Sequence, residues 1–162
     1  SQELYALGDR DNYFYMLGSM GLCSSIGLGL ALSTPKPVLA IEGDGAVLMN
    51  LGTLATLAQQ APPNYSLLIV DNGSYGSTGD QPTHTASGAS LAGIARAAGC
   101  PDVVECDGAE APAALRAALA SAGFSVVVAH VAPGNAQMGV VPLHAIQIRE
   151  RFKAVVAAGQ GG

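Results

Sequence analysis

Two short polar motifs, separated by residues 46–70, carry side chains that can bind a metal ion. Gly43-Asp44-Gly45 follows one apolar run and Asp71-Asn72 follows a second. A carboxylate and an amide supply only oxygen ligands, which suits a hard cation such as Mg2+ that takes about six oxygens, several of them from phosphates or water. The two glycines let the backbone approach a bound anion closely. Together the motifs predict one site for a divalent cation and a diphosphate.

The elements around these motifs are expected to bring them to the same edge of a sheet. Val38 to Ile41 and Leu67 to Val70 predict two buried parallel strands. The segment between them ends near Pro62-Pro63 and has apolar residues at helical spacing, namely Leu48, Leu51, Leu54, Leu57 and Ala58. A β-α-β unit of this kind places the carboxyl ends of both strands side by side. Gly45 and Ala46 would open the helix, whose N-terminus favours an anion.

The remaining segments extend the same pattern and predict the α/β class, with an open, mostly parallel sheet and helices on both faces. Strands are predicted over residues 13–17, 38–41, 67–70, 103–106 and 124–131, and helices over residues 22–33, 48–58, 90–98, 111–122 and 143–158. Residues 72–87 form a long polar loop, which is typical of a functional segment. We expect one domain over residues 1–162, with a core at about 8–132 and a C-terminal loop and helix over 133–162, where Arg149 and Arg151 are solvated charges.

Composition limits the class of protein. With 49% hydrophobic and only 12% charged residues, the chain predicts a surface partly covered by other subunits. Its net charge of -5 argues against nucleic acid as a partner. The longest apolar stretch is short and rich in Gly and Ser, so no membrane span is expected. The cysteines lack metal-binding spacing, which indicates reduced thiols and a cytoplasmic location. The start without Met or a first strand suggests that a natural N-terminal segment is missing.

Gly43-Asp44-Gly45 and Asp71-Asn72 together resemble the diphosphate- and Mg2+-binding motif of thiamine diphosphate (ThDP) enzymes. The resemblance implies ThDP and Mg2+ as cofactors. The side chains of Asp44 and Asn72 and the carbonyl oxygen of Ser74 would be the metal ligands. Asp71 stands where the family usually has Asn, but that position does not normally ligate the metal.

Gly18-Ser19-Met20-Gly21, followed by a helix of small residues, is similar to a second motif of the same family. This resemblance implies that the Gly18 carbonyl accepts a hydrogen bond from the aminopyrimidine of the cofactor and that Met20 supports its bent conformation. The cofactor-binding residues implied by both motifs are Gly18, Ser19, Met20, Gly43, Asp44, Gly45, Ala46, Asn72, Ser74, Tyr75 and Gly76.

Three longer blocks, Phe14 to Leu32, Glu42 to Leu51 and Asp71 to Thr85, resemble the β subunits of sulfopyruvate decarboxylases, with phosphonopyruvate decarboxylases as near relatives. This implies a carboxy-lyase that converts 3-sulfopyruvate to sulfoacetaldehyde and CO2, in coenzyme M biosynthesis or in sulfonate breakdown. The cofactor performs the bond making, so we assign no certain catalytic side chain to this chain. His84 is a candidate, and His84 or Ser77 could bind the sulfonate.

The resemblance also implies a partner. The family carries the Glu that activates ThDP on a separate pyrimidine-binding domain, and Glu42, beside the diphosphate turn, lies at the wrong end of the cofactor for that task. We therefore expect a homologous α subunit, in an α2β2 or larger assembly, and no activity of the isolated chain. Three alternatives remain: a decarboxylase for phosphonopyruvate or another 2-oxo acid, a non-catalytic ThDP- or nucleotide-binding regulatory module, or an interaction scaffold without a cofactor.

Overall fold

The computed structural model describes residues 1–134 and 136–158, and its internal contacts divide the chain into two compact units. The larger unit is Gly21–Gly134 and contains the sheet. The smaller unit comprises Ser1–Met20 and the chain after Gly134. The expectation of one domain over residues 1–162 stays a prediction. Among the described residues, no helix is long and apolar enough to cross a bilayer.

A four-stranded, fully parallel sheet forms the centre of the larger unit. The strands of the chain are β1 (Val38–Gly43), β2 (Tyr65–Asp71), β3 (Ser74–Tyr75), β4 (Gln81–Pro82), β5 (Asp102–Asp107) and β6 (Ser125–His130). The sheet has the order β1-β2-β6-β5, and β3 and β4 form a separate antiparallel hairpin within the polar loop. The parallel register pairs Gly43 with Val70, and His130 with both Asp71 and Asp107. Polar residues therefore collect at the carboxyl ends of the strands.

Helices cover both faces of this sheet. The described helices are α1 (Gln2–Ala6), α2 (Cys23–Ser33), α3 (Asp44–Met49), α4 (Gly52–Gln60), α5 (Leu91–Ala97), α6 (Ala111–Ala120) and α7 (Ala145–Ala157). Helices α2, α4 and α5 contribute Leu28, Leu57 and Ala92 to a core that includes Val126 of β6. Val127, on the opposite face because side chains alternate along a strand, is also buried, and α6 packs against β6. The predicted α/β class is confirmed.

The predicted strand over residues 13–17 is wrong, because this segment has no neighbouring strand. In the part of the smaller unit that the structure describes, there are only α1, α7 and irregular backbone. Tyr15 instead packs edge to face against Tyr5 and Tyr13, at ring-centroid distances of 5.6 and 6.3 Å. The aromatic residues that suggested a strand therefore build a small local core.

The predicted crossover helix over residues 48–58 is two helices, α3 and α4, separated at Asn50 and Leu51. The Asn50 side chain donates hydrogen bonds to the carbonyl oxygen of Gly21, at 3.1 Å, and to the hydroxyl of Ser25, at 3.4 Å. These contacts with residues distant in sequence hold the Asn50 side chain at the break between the two helices. The break leaves a short helix, α3, that begins at Asp44.

The expectation that Arg151 of α7 is a solvated charge is wrong. Its guanidinium donates to both carboxylate oxygens of Asp9, at 2.6 and 2.7 Å, and its side chain is only 18% exposed. It also lies over the ring of Tyr15, 5.7 Å from the centroid. Arg149 pairs with Glu150 and both side chains remain more than half exposed, as expected for surface charges.

Candidate functional site

The carboxylate of Asp44 is the most deeply buried charge at the strand ends. Asp44 follows β1, begins α3 and is 1% exposed. Its Oδ2 accepts hydrogen bonds from the hydroxyls of Thr83 and Thr85. Its Oδ1 is buried and, among residues 1–134 and 136–158, has no hydrogen-bond partner. Because an unpaired buried carboxylate oxygen is costly, this oxygen is a ready ligand for a cation.

Asp71 connects the second motif to Asp44. It ends β2, and its Oδ1 accepts from the Thr85 hydroxyl at 2.7 Å and from the Gly73 amide at 3.2 Å. Thr85 also lies 2.9 Å from Asp44 Oδ2. One hydroxyl is therefore within hydrogen-bonding distance of both carboxylates. The structure thus brings the motif after β1 and the motif after β2 together.

Asn72 is held in place by two hydrogen bonds. Its Oδ1 accepts from the Ser74 amide at 3.1 Å, and its Nδ2 donates to the carbonyl oxygen of Gly134 at 3.1 Å. An amide oxygen has two acceptor positions, so Oδ1 keeps one for another ligand. The Ser74 hydroxyl donates to Asp80 at 2.9 Å, inside the same loop. The roles of Asn72 and of the Ser74 carbonyl as metal ligands stay predictions.

The two glycines of the first motif have different surroundings. A Cβ added at Gly45 would lie 2.4 Å from Cε1 of Tyr75 and 3.2 Å from Cγ2 of Thr83. The close approach at Gly45 is thus made by Tyr75 and Thr83, which both belong to the polar loop. At Gly43 the nearest atom would be the Val70 carbonyl oxygen at 3.9 Å, so the space there is open. Ala46 is buried in the first turn of α3, and Gly76 is partly buried in the loop.

The second motif spans the division between the units. Gly18, Ser19 and Met20 belong to the smaller unit and lie outside helices and strands, and their roles toward a cofactor stay predictions. Gly21 belongs to the larger unit, with φ +86°. A Cβ at Gly21 would lie 3.1 Å from the Ala46 carbonyl oxygen. The end of this motif is therefore packed directly against α3.

Glu42 has a structural partner that accounts for its position. It is buried on β1, and its two carboxylate oxygens accept from the backbone amides of Cys23 and Ser24, each at 3.2 Å. Glu42 thus satisfies two of the free amides at the N-terminus of α2. Burial, and then the nearby charge of Glu42, raises the pKa of the Cys23 thiol to about 11.

Sequence reasoning missed Thr83 and Thr85 as partners of Asp44. The available signal was a pair of hydroxyl residues two positions apart, on either side of His84 in a polar loop. His84 itself is exposed, as is Ser77. Their proposed contact with an anionic substrate therefore stays a prediction.

An open cleft of about 340 Å³ adjoins Asp71, on the side toward β5 and β6. His130 lies between two acidic groups there: its Nδ1 is 3.4 Å from Asp71 Oδ2, and its Nε2 is 3.1 Å from Glu105 Oε1. Arg96 lies 3.4 Å from the other oxygen of Glu105. The hydrogen bond from His130, together with the weaker one from Arg96, lowers the pKa of Glu105. His130 thus lies at the carboxyl end of the interior strand β6, between two acidic side chains of the neighbouring strands.

Comparisons with known proteins identify the family to which the chain belongs. The model of the thiamine pyrophosphate enzyme, C-terminal TPP binding domain, matches residues 2–129. The chain is 45% identical over 152 residues to the sulfopyruvate decarboxylase subunit beta of Methanococcus maripaludis, covering 94% of this chain and 82% of that protein. It is 42% identical over 164 residues to the phosphonopyruvate decarboxylase of Streptomyces viridochromogenes, covering all of this chain and 41% of that protein.

A solved structure shares the fold. The 2-oxoglutarate:ferredoxin oxidoreductase from Magnetococcus marinus superposes with a TM-score of 0.58 at 17% identity, over 73% of this chain and 48% of that one. The resemblance predicted from the sequence blocks is therefore confirmed at the level of family. The chain belongs to the thiamine pyrophosphate enzymes, in the group that contains the sulfopyruvate decarboxylase β subunits.

Proposed function

We propose that this chain is the diphosphate- and Mg2+-binding subunit of a ThDP-dependent decarboxylase that converts 3-sulfopyruvate to sulfoacetaldehyde and CO2. The observation that carries the proposal is the buried carboxylate of Asp44. One of its oxygens lies within hydrogen-bonding distance of two hydroxyls, and the other has no partner in the part of the chain that the structure describes. In a thiamine pyrophosphate family, an oxygen of this kind at the strand ends fits a cation that links a diphosphate to the protein. The identity to a sulfopyruvate decarboxylase β subunit supports the substrate.

The donor set fits a hard divalent cation. Asp44 Oδ1, Asn72 Oδ1 and the Ser74 carbonyl oxygen would hold Mg2+, and phosphate oxygens and water would complete its coordination. The amides of Gly45 and Ala46 would face the diphosphate, with Gly43, Tyr75 and Gly76 beside it. Gly18, Ser19 and Met20 would contact the organic part of the cofactor.

The residues of this chain bind and orient rather than transfer electrons or protons. When bound, ThDP supplies a nucleophilic carbon and accepts the electron pair left as CO2 departs. Asp44 and Asn72 would fix the metal, and through it the diphosphate, so that the reactive end of the cofactor has one position. The polar loop that contains Ser77 and His84 would bind the anionic head group of the substrate.

We further propose that a separate α subunit with a pyrimidine-binding domain completes the active site, in an α2β2 or larger cytoplasmic assembly. This chain matches 41% of the phosphonopyruvate decarboxylase of S. viridochromogenes. The rest of that protein is long enough to contain such a domain. Glu42 is engaged at the N-terminus of α2. Leu22, Ile26 and Leu32 of the α2 region are exposed, and an apolar helix surface of this kind favours coverage by another subunit.

Co-expression with the pyrimidine-domain subunit from the same genome tests the proposed activity. We expect the complex to release sulfoacetaldehyde from sulfopyruvate, and neither subunit alone to do so. A complex that turns over phosphonopyruvate with the higher kcat/KM would instead favour the phosphonopyruvate decarboxylases, to which the chain is also similar. A complex that acts on neither acid would refute both assignments.

Calorimetric titration with ThDP tests the metal site independently of turnover. We expect the complex to bind ThDP much more tightly with Mg2+ than without it, and Asp44→Ala to abolish this difference. Asp102→Ala is a matched control, because Asp102 is an exposed residue at the start of β5, at the opposite end of the strand from the site. Metal-independent binding of ThDP by the unmodified complex would contradict the proposal.

A further inference from the structure

We propose that Thr83 and Thr85 are positioning residues that hold the Asp44 carboxylate in the orientation needed to bind the divalent cation. This inference rests on the proposed function, since it concerns the same metal site. It adds two residues that no motif of the sequence identified. It also assigns the polar loop between β2 and α5 a role in positioning Asp44.

Thr83 is fixed on three sides. It is 2% exposed, and its hydroxyl contacts Asp44 Oδ2. Its backbone amide donates to the Gly73 carbonyl oxygen at 2.9 Å, which closes the hairpin formed by β3 and β4. Its methyl group lies against Gly45. The position of the hydroxyl is therefore set by backbone and packing contacts, and not by Asp44 alone.

The Thr85 hydroxyl lies within hydrogen-bonding distance of two carboxylates but has only one proton to donate. Its Oγ1 is 2.9 Å from Asp44 Oδ2, 2.7 Å from Asp71 Oδ1 and 2.8 Å from the Thr83 hydroxyl. A hydroxyl can donate to only one acceptor at a time. The one carboxylate that Thr83 contacts is that of Asp44, whereas Thr85 also contacts Asp71. Removal of the Thr83 hydroxyl therefore perturbs Asp44 more selectively than removal of the Thr85 hydroxyl does.

Both hydroxyls contact the same oxygen of Asp44, and this selects which oxygen is left for a metal. Rotation of the carboxylate would break the hydrogen bond from Thr83, which the negative charge strengthens, and would move Oδ2 away from the Thr85 hydroxyl. With Oδ2 held in this way, Oδ1 is fixed in direction and has no hydrogen-bond partner among the residues that the structure describes. Partners that orient a metal ligand in this way commonly contribute about 10- to 100-fold to metal affinity.

Mn2+ affinity of the α/β complex with ThDP present, measured by electron paramagnetic resonance, tests this role without an activity assay. Mn2+ is the probe because it accepts the same oxygen ligands as Mg2+. We expect Thr83→Val, which keeps the shape and removes the hydroxyl, to weaken Mn2+ binding about 10- to 100-fold. Thr83→Ser, which keeps the hydroxyl, should restore most of the affinity. Thr85→Val and Thr85→Ser should show the same pattern.

Thr78→Val is the matched control. Thr78 is in the same loop, and its hydroxyl lies within hydrogen-bonding distance of Gln81 and of the Tyr75 carbonyl oxygen rather than of Asp44. It should leave the Mn2+ affinity unchanged. Equal affinities of Thr83→Val, Thr85→Val and the unmodified complex would overturn the proposal, as would Ser variants that bind as weakly as the Val variants.

Thermal unfolding of each variant separates loss of affinity from loss of structure. If Thr83→Val does not fold, the comparison of Thr85→Val with Thr85→Ser decides the question in the same way. Failure of the proposed function looks different: the unmodified complex would then show no Mn2+-dependent binding of ThDP, and Asp44→Ala would change nothing. In that case the positioning role is refuted together with the site.

Discussion

The ring of Tyr75 occupies the space beside the Cα of Gly45 that any side chain at position 45 would need. The Gly43-Asp44-Gly45 turn and the polar loop are therefore in direct contact. Gly45 permits this contact because it has no Cβ. The two motifs depend on each other through packing as well as through Thr85.

We predict that Gly45→Ala lowers the free energy of unfolding by about 1–3 kcal/mol, the range for overpacking a filled site. The added Cβ would meet two carbons of the Tyr75 ring at 2.4 and 2.6 Å, so the ring must move. Chemical denaturation monitored by circular dichroism measures the change. Gly43→Ala is the matched control and should cost less, because the nearest atom there lies at 3.9 Å. A Gly45→Ala protein as stable as Gly43→Ala would contradict the contact.

A second prediction concerns Glu42. We expect Glu42→Ala to destabilise the fold by about 1–3 kcal/mol, because two backbone amides at the start of α2 would lose their partner in a buried place. Glu110→Ala is the control: Glu110 also accepts from a backbone amide, that of Asp107, but at an exposed site. Equal losses of unfolding free energy in the two variants, measured by denaturation, would show that burial does not make the Glu42 contact more stabilising than the exposed one.

Much of the fold could be predicted because its signals are local. The apolar runs of β1 and β2 are bounded by Pro and Gly, and Ser90 caps α5 by accepting from the Gly93 amide at 2.9 Å. Residues close in sequence determine such features. The break at Asn50 was not predictable in this way, because its side chain binds Gly21 and other distant residues of the chain.

The same distinction applies to the site. The proximity of the motif after β1 and the motif after β2 was predictable from their spacing, which a β-α-β unit converts into proximity. The metal-ligand roles of Asp44 and Asn72 stay predictions. Thr83 was missed because its contact with Asp44 joins residues 39 positions apart through a loop whose conformation no periodicity specifies. The strand predicted around Tyr15 was wrong because a short aromatic and apolar run cannot show whether a partner strand exists. Tertiary hydrogen bonds and strand pairing therefore required the structure.

Cys23 provides a third prediction, on reactivity. Because burial and Glu42 raise its thiol pKa to about 11, roughly 0.1% is thiolate at pH 8, and thiolate is the reactive form. We expect iodoacetamide to modify Cys23 at least about 100-fold more slowly in the folded protein than in the denatured one. Mass spectrometry of peptides from timed reactions measures this. Equal rates in the two states would contradict the burial and charge around the thiol.

The pair formed by Asp9 and Arg151 provides a prediction on pH. The hydrogen bond from Arg151 is the main cause that lowers the pKa of Asp9 from 3.8 to about 2. The folded state therefore takes up this proton at lower pH than the unfolded state, so the pair stabilises the protein above about pH 4, and the stabilisation is lost as the pH falls toward 2. We expect Asp9→Asn to lower the melting temperature at pH 7, and the difference from the unmodified protein to shrink steadily below pH 4.

Asp11→Asn is the control, since Asp11 is 3.7 Å from Arg151 and mostly exposed, and it should change little at any pH. A difference between Asp9→Asn and the unmodified protein that stays constant from pH 7 to pH 3 would show that packing, and not the charge pair, is responsible.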